Sequence, residues 1–299
     1  MHTRSVSSQD SNYEEAFRRA GKLVSAQKSF KIQSIFQVAD FQSSGFILLP
    51  GLISPTELAE VSEEYDSMFE RKKAEGGRLE ARWSGNWNEN NSTSSVLSIH
   101  NLQQHSAVFT KLLLHPAMLD SLEDLMQGSI VLHHTKAHLK PPKDGAPFPT
   151  HQDYHYFPYK KHSMLAVFIH LDNTDPENGG LGVFPGSHKQ GPQTDASNTA
   201  GVHYLDQEQW PLSTAIPVHA KAGDVLVFSY LLVHGSYPNI SDKTRRMFLI
   251  QVAEGSDVST SGKHRSPGAG MVLRGRNLSM IADLDKRHEE RLEQGDICE

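Results

Sequence analysis

The sequence holds one cysteine, Cys298, second from the C-terminus. A lone cysteine excludes an internal disulfide framework and a cysteine-built zinc site, and it suits a reducing compartment. Long hydrophobic runs are also missing: nothing among the 299 residues approaches the roughly 18 consecutive apolar positions that a membrane helix needs. The opening stretch MHTRSVSSQDSNYEEAF is polar and carries acids, unlike the apolar centre of a secretory signal. The final DICE is no peroxisomal address. Charge of one sign is scarce as well. The 29 basic residues are outnumbered by 35 acidic ones, and the basic runs RRA (18–20) and ERKK (70–73) are short and lie among acids. That balance argues against a nucleic-acid footprint or a polybasic membrane anchor. A P-loop, a dinucleotide-binding glycine fingerprint and a nucleophile elbow are absent too. GAGMVLRG (268–275) follows no strand–helix unit and reads as a loop. These exclusions leave a cytoplasmic protein with a small-molecule substrate, no nucleic acid, no membrane, and room for a homo-oligomer.

What the chain does have is apolar material in short, punctuated runs. Residues 1–12 are expected to be disordered, and YEEAFRRAGKLVSAQ (13–27) reads as a short helix. GFILLPGLI (45–53) reads as a strand ending at Pro50-Gly51. Ser54, Pro55 and Glu57 then form a capping-box signature, followed at helical spacing by Leu58, Val61, Tyr65, Met68 and Phe69 up to Gly76-Gly77. The polar stretch 77–95, with Trp83 and Trp87, is expected to be a long loop serving as a lid. SVLSIHNL (95–102) reads as a strand, and a helix from near Pro116 carries Leu119, Leu122, Leu125 and Met126 before Gly128. From residue 130 onward, short β-like runs alternate with Pro, Gly, Asn and Asp. Helices followed by many short strands predict a mainly β fold with flanking helices around a jelly-roll, cupin-like core. The expected organisation is a polar arm over 1–30, a single catalytic domain over 31–280, and a charged tail over 281–299 with an exposed helix at 281–295.

Histidine is conspicuous, at 17 of 299 residues, and makes a metal site worth seeking. In PTHQDYHYFPY (149–159), His151 and Asp153 are two apart, so on an extended strand both leave the same face. Such a pair alone is as readily a surface hydrogen-bonded couple. GDVLVFSYLLVHGSYPN (223–239) reads as one strand whose alternating face carries Phe228, Tyr230, Leu232 and His234, the last at the strand end. Two histidines and one carboxylate suit Fe(II) with open coordination positions, whereas a closed zinc site needs a fourth ligand. SDKTRRMFLIQV (241–252) returns as a strand with Arg245 eleven residues after His234. A guanidinium there suits the far carboxylate of a dicarboxylate such as 2-oxoglutarate. Arg246 points to the opposite face, and as solvated edge-strand charges neither arginine would serve.

Four motifs in order, HQDYHYFPY, ENGGLGVFPGSHKQGP (177–192), GDVLVFSYLLVHGSYPN and the TRR strand, resemble the phytanoyl-CoA dioxygenase family over roughly residues 40–275. The resemblance implies a double-stranded β-helix that binds Fe(II), 2-oxoglutarate and O2. It places His151, Asp153 and His234 on the iron ligands, Arg245 on the distal-carboxylate clamp with Ser236 in support, and His100 and Lys136 near cosubstrate-contacting positions. The implied reaction decarboxylates 2-oxoglutarate to succinate and CO2 while hydroxylating an unactivated C–H bond. Asp153 keeps the carboxylate that halogenating relatives lack. Alternatives are a non-catalytic metal- or ligand-binding jelly roll, and a cupin-like metalloenzyme that does not use 2-oxoglutarate. Substrate contact is assigned to His155, His138, Trp83 and Trp87. His155 also fits packing beside Tyr156, and His138, on one face with His134 and Lys136, also fits a barrel wall.

Overall fold

A computed structural model describes residues 35–75, 80–84, 95–197, 202–261 and 266–279. The helices expected at 13–27 and 281–295 lie outside the described residues, as does Trp87. Four α-helices and twelve strands follow in chain order among the described residues. They are α1 (Ile35–Ser44), β1 (Phe46–Leu49), α2 (Pro55–Ala74), β2 (Glu80–Ser84), β3 (Ser95–His100), α3 (Ala107–Leu113), α4 (Pro116–Met126) and β4 (Ile130–Lys140). The remainder is all β: β5 (Phe148–His151), β6 (Leu165–His170), β7 (Leu181–Val183), β8 (Ile216–Pro217), β9 (Val225–Ser229), β10 (His234–Ser236), β11 (Arg245–Glu254) and β12 (Val272–Arg274).

The larger antiparallel sheet runs β1-β9-β6-β11-β4-β3-β2, with β12 on β4, and the smaller runs β5-β10-β7-β8. Residues of both sheets share one apolar cluster: Ala166, Phe168, Leu226, Phe228, Met247 and Leu249 from the larger sheet meet Leu181 and Val183 of β7. The other face of the larger sheet buries Val167, Ile169, Val225, Val227, Phe248 and Ile250 under Val61, Tyr65, Met68, Phe109 and Leu122 of the helices. This is the jelly roll with flanking helices that the sequence pattern predicts. Because both faces of the larger sheet are covered, LAVFI of β6 and VLVF of β9 are unbroken apolar runs without polar alternation.

The capping box at the head of α2 is present: the Glu57 amide donates to Ser54 Oγ at 3.3 Å and the Ser54 amide to Glu57 Oε2 at 3.0 Å. Tyr65 of the same helix donates its hydroxyl to the His138 carbonyl at 2.8 Å, tying helix to sheet.

Three expectations need correction. Part of the loop expected at 77–95 is strand, since residues 80–84 pair with β3 and so cap the sheet edge. Residues 272–274 of the loop expected at 268–275 pair with β4. The single strand expected over 223–239 is two. β9 belongs to the larger sheet and β10 to the smaller, and the chain turns between them at residues 230–233. The turn is the jelly-roll corner, which carries the chain from one sheet to the other. Helices α1 and α3 went unread because each offers only a short apolar stripe.

Candidate metal centre

The corner between β9 and β10 brings His234 opposite His151, with their Cα atoms directly paired across β10 and β5. Asp153 arrives differently from the expectation. β5 ends at His151, and Asp153 opens a 3-10 turn over Asp153–His155, so a turn and not a common strand face sets the pair. Its Oδ1 lies 3.7 Å from His151 Nε2 and 3.9 Å from His234 Nε2. Among the described residues these three form the one group of at least three His, Cys, Asp or Glu side chains close enough to share a metal ion.

Three observations fit the group to a divalent metal. His151 Nδ1 faces the Pro149 carbonyl at 2.8 Å and His234 Nδ1 faces the Leu232 carbonyl at 2.9 Å. Donation to those carbonyls leaves each Nε2 lone pair turned toward the shared centre. Burial pushes the His151 imidazole well below its ordinary range, helped by the neighbouring His234, so the ring is a neutral donor at physiological pH. Asp153 Oδ2 is fixed by the Gln251 side-chain amide at 2.7 Å, which leaves Oδ1 for the centre. Burial raises the Asp153 carboxyl, against the opposing pull of His234 and the Gln251 bond. Two imidazole nitrogens and one carboxylate suit iron with open positions.

β4 and β11 form the wall behind this centre. Along β11, Arg245, Met247, Leu249 and Gln251 pair with Lys140, His138, Lys136 and His134 of β4. Arg245 is 2% exposed, and its Nη2 donates to the Gly179 carbonyl while Nη1 points at Met247 Sδ, 3.7 Å away. Its Nε has no hydrogen-bond partner among the described residues. Burial lowers the guanidinium to about 10, so it stays charged at neutral pH. Arg246, on the opposite face, is spent on Asp172 and on Asp66 of α2, each at 2.7 Å.

The other singled-out residues fall as follows. Ser236 ends β10, buried. Lys136 is half-buried, and burial pushes its ammonium down to about 8 against the attraction of Asp153. His100 of β3 is exposed, pairs with Lys136 across the strands, and stacks on His134 at 6.2 Å. His138 is buried, with Nδ1 3.1 Å from Ser98 Oγ and its ring against Phe148. His155 faces the Gln193 carbonyl at 2.9 Å through Nε2 and the Gln152 carbonyl at 3.3 Å through Nδ1, and stacks on His203. It packs against loop backbone beside Tyr156. Trp83 lies on β2. His188 of PGSHK reaches the Gln42 carbonyl at 3.3 Å, a tie between loop and helix.

Sequence reasoning missed Lys140 and Gln251. The one signal is alternation, since the His134, Lys136, His138 face continues to Lys140 and the Arg245 face to Gln251, but nothing in that pattern says that a second sheet covers the face.

Residues 41–247 match the family described as phytanoyl-CoA dioxygenase (PhyH). The chain is 33% identical over 144 residues to a probable alpha-ketoglutarate-dependent hypophosphite dioxygenase of Stutzerimonas stutzeri, covering 46% of this chain and 49% of that protein. The match therefore spans about half the length of that relative. It is 25% identical to the peroxisomal phytanoyl-CoA dioxygenase of Bos taurus over 75% of this chain and 69% of that one. The epimerase SnoN, solved in complex with Fe3+, alpha ketoglutarate and nogalamycin RO, shares the fold at a TM-score of 0.61 and 20% identity, over 82% of this chain and 95% of that one. A family match over most of the chain, on a jelly roll that brings two histidines and an aspartate together, has one reading: the chain belongs to the phytanoyl-CoA dioxygenase family of iron- and 2-oxoglutarate-dependent oxygenases.

Proposed function

We propose that this protein hydroxylates an unactivated C–H bond of a small organic metabolite, with His151, Asp153 and His234 holding Fe(II). Arg245 receives the distal carboxylate of 2-oxoglutarate, Ser236 donates to the same group, and Lys136 and His100 lie along the cosubstrate. Bound iron, with 2-oxoglutarate and O2, supplies the oxidising chemistry and leaves succinate and CO2 as co-products. The protein's own share is to fix three donors, present a cation to a dicarboxylate, and keep the site dry. Support comes above all from Arg245, a buried guanidinium with no carboxylate at ion-pair distance among the described residues, on the same face of β11 as Gln251, which bonds Asp153. A buried cation without an anion is costly, and a ligand carboxylate answers it.

The substrate belongs to this reading and not to the family name. The named relatives act on targets as unlike as hypophosphite and phytanoyl-CoA, so the family does not fix it. A free metabolite is favoured over a CoA ester, because the sequence offers no basic patch for a CoA phosphate. The same reading assigns catalysis to residues 31–280 and keeps a cytoplasmic setting, on the single cysteine. No helix among the described residues is long and apolar enough to cross a membrane.

Anaerobically purified protein given Fe(II), 2-oxoglutarate and then O2 is expected to form succinate, and His151→Ala protein to form none. Wild-type protein that forms no succinate and binds no 2-oxoglutarate by calorimetry would overturn the proposal.

A further inference from the structure

Arg245 is not alone at its end of the β4–β11 pair. Its Cα partner across β4 and β11 is Lys140, which is 0% exposed. The Lys140 ammonium lies 2.7 Å from Ser236 Oγ and also donates to the Tyr237 carbonyl. It stands 5.6 Å from the centre of the Phe148 ring. Among the described residues, no carboxylate reaches ion-pair distance of either cation. Arg246, one residue along, has two.

The local sequence makes room for this pairing. A Cβ on Gly179 would sit 2.6 Å from Lys140 Cδ and 3.3 Å from its Nζ, and the Gly179 carbonyl is the acceptor for Arg245. One glycine thus lets both cations approach the same turn. Two like charges side by side out of water repel strongly, and an anion placed between them removes the repulsion. Burial and the adjacent guanidinium oppose the charge on Lys140 and hold it well below the ordinary lysine range, whereas a ligand carboxylate beside it favours the ammonium.

We propose that Lys140 is a further member of the cosubstrate clamp, a specificity-determining residue that selects keto acids carrying a distal carboxylate. The proposal rests on the 2-oxoglutarate reading above. Lys140 acts in two ways. With the ligand carboxylate in place, its ammonium adds a second positive charge beside Arg245. It also fills an acceptor position on Ser236 Oγ, which leaves the serine proton free to be donated to the ligand carboxylate. A keto acid without the second carboxylate gains from neither.

The test is calorimetric binding of 2-oxoglutarate and of 2-oxopentanoate to the Fe(II)-loaded protein under nitrogen. The second ligand keeps the keto-acid head and lacks the distal carboxylate. Lys140→Met keeps the stem and removes the charge, and Lys140→Gln also keeps a donor for Ser236. Both are expected to weaken 2-oxoglutarate binding by about tenfold or more, as for loss of a charged hydrogen bond, with 2-oxopentanoate binding unchanged. Equal weakening of both ligands, or of neither, overturns the proposal. So does loss of the folded circular-dichroism signal in both variants, which would assign Lys140 to the architecture alone. Wild-type protein that binds no 2-oxoglutarate overturns instead the reading on which the proposal stands.

Discussion

At the scale of single residues, the centre depends on groups that never touch a metal. Gln251 pins Asp153 Oδ2 at 2.7 Å, and the Pro149 and Leu232 carbonyls orient the two imidazoles. Partners of this kind typically change metal affinity by about 10–100-fold. Gln251→Leu is therefore expected to weaken Fe(II) binding by about that factor with the fold intact, read by metal titration beside circular dichroism. Unchanged affinity would mean that Asp153 holds its rotamer unaided. The closeness of His151, Asp153 and His234 was legible from spacing and strand ends, because those residue types are rare together. Gln251 and Lys140 were not, because a glutamine or a lysine on a strand reads as a solvent-facing residue until the opposite sheet covers it. Asp257 shows a related effect away from the centre. Burial pushes its carboxyl up, but hydrogen bonds from the Ser163 hydroxyl and from the amides of Lys161, Ser163 and Val258 outweigh that and hold it below 3.8. A depressed folded value gives stability that is present above the unfolded value and lost as pH falls through the folded one. The melting-temperature gap between wild type and Asp257→Asn should thus be widest near neutrality and shrink below pH 3.8.

At the scale of elements, local signals succeeded where one element carries its own punctuation. Helix α2 announces itself through Ser54, Pro55 and Glu57, and Ser54→Ala is expected to cost about 1 kcal/mol, measurable by urea unfolding. Truncating a helix residue under the sheet should cost more. Leu122 of α4 is 0% exposed, so Leu122→Ala is expected to lose about 2–5 kcal/mol in the same measurement. Strand boundaries were harder. β9 and β10 read as one apolar run, because Tyr230, Leu231, Leu232 and Val233 at the corner are all buried. Buried turns carry no polar marker, so a change of sheet inside a hydrophobic run leaves no trace in the pattern. β2 was hidden for the opposite reason: a polar edge strand looks like a loop when read alone.

At the scale of the whole molecule, the two sheets divide the ligand-binding work. His151 and His234 belong to the smaller sheet, while Lys140, Arg245 and Gln251 belong to the larger. A dicarboxylate held at one end by metal and at the other by Arg245 would brace one sheet against the other. Ligands that bind only the folded state stabilise it by about 2.7 kcal/mol at a hundredfold excess over Kd. Fe(II) with 2-oxoglutarate is therefore expected to raise the melting temperature more than Fe(II) alone, and to leave His151→Ala protein unmoved, under nitrogen. An equal rise in the variant would place the stabilising site elsewhere.

The Arg245-Arg246 doublet has one more consequence. Adjacent residues of β11 face opposite sides, one toward Gly179 and the other toward Asp66 and Asp172. If the strand slid by one residue so that each position held the next residue along, Arg246 would take Arg245's place and a guanidinium would still pair with Lys140. On the inner face the doublet is thus blind to a slip in that direction. Frame is kept further along, where the slip would carry Gln251 under the helices and bring Val252 against Asp153. A one-residue insertion anywhere between 246 and 251 would spare the clamp and strand the centre, making this strand tolerant of spelling and intolerant of length.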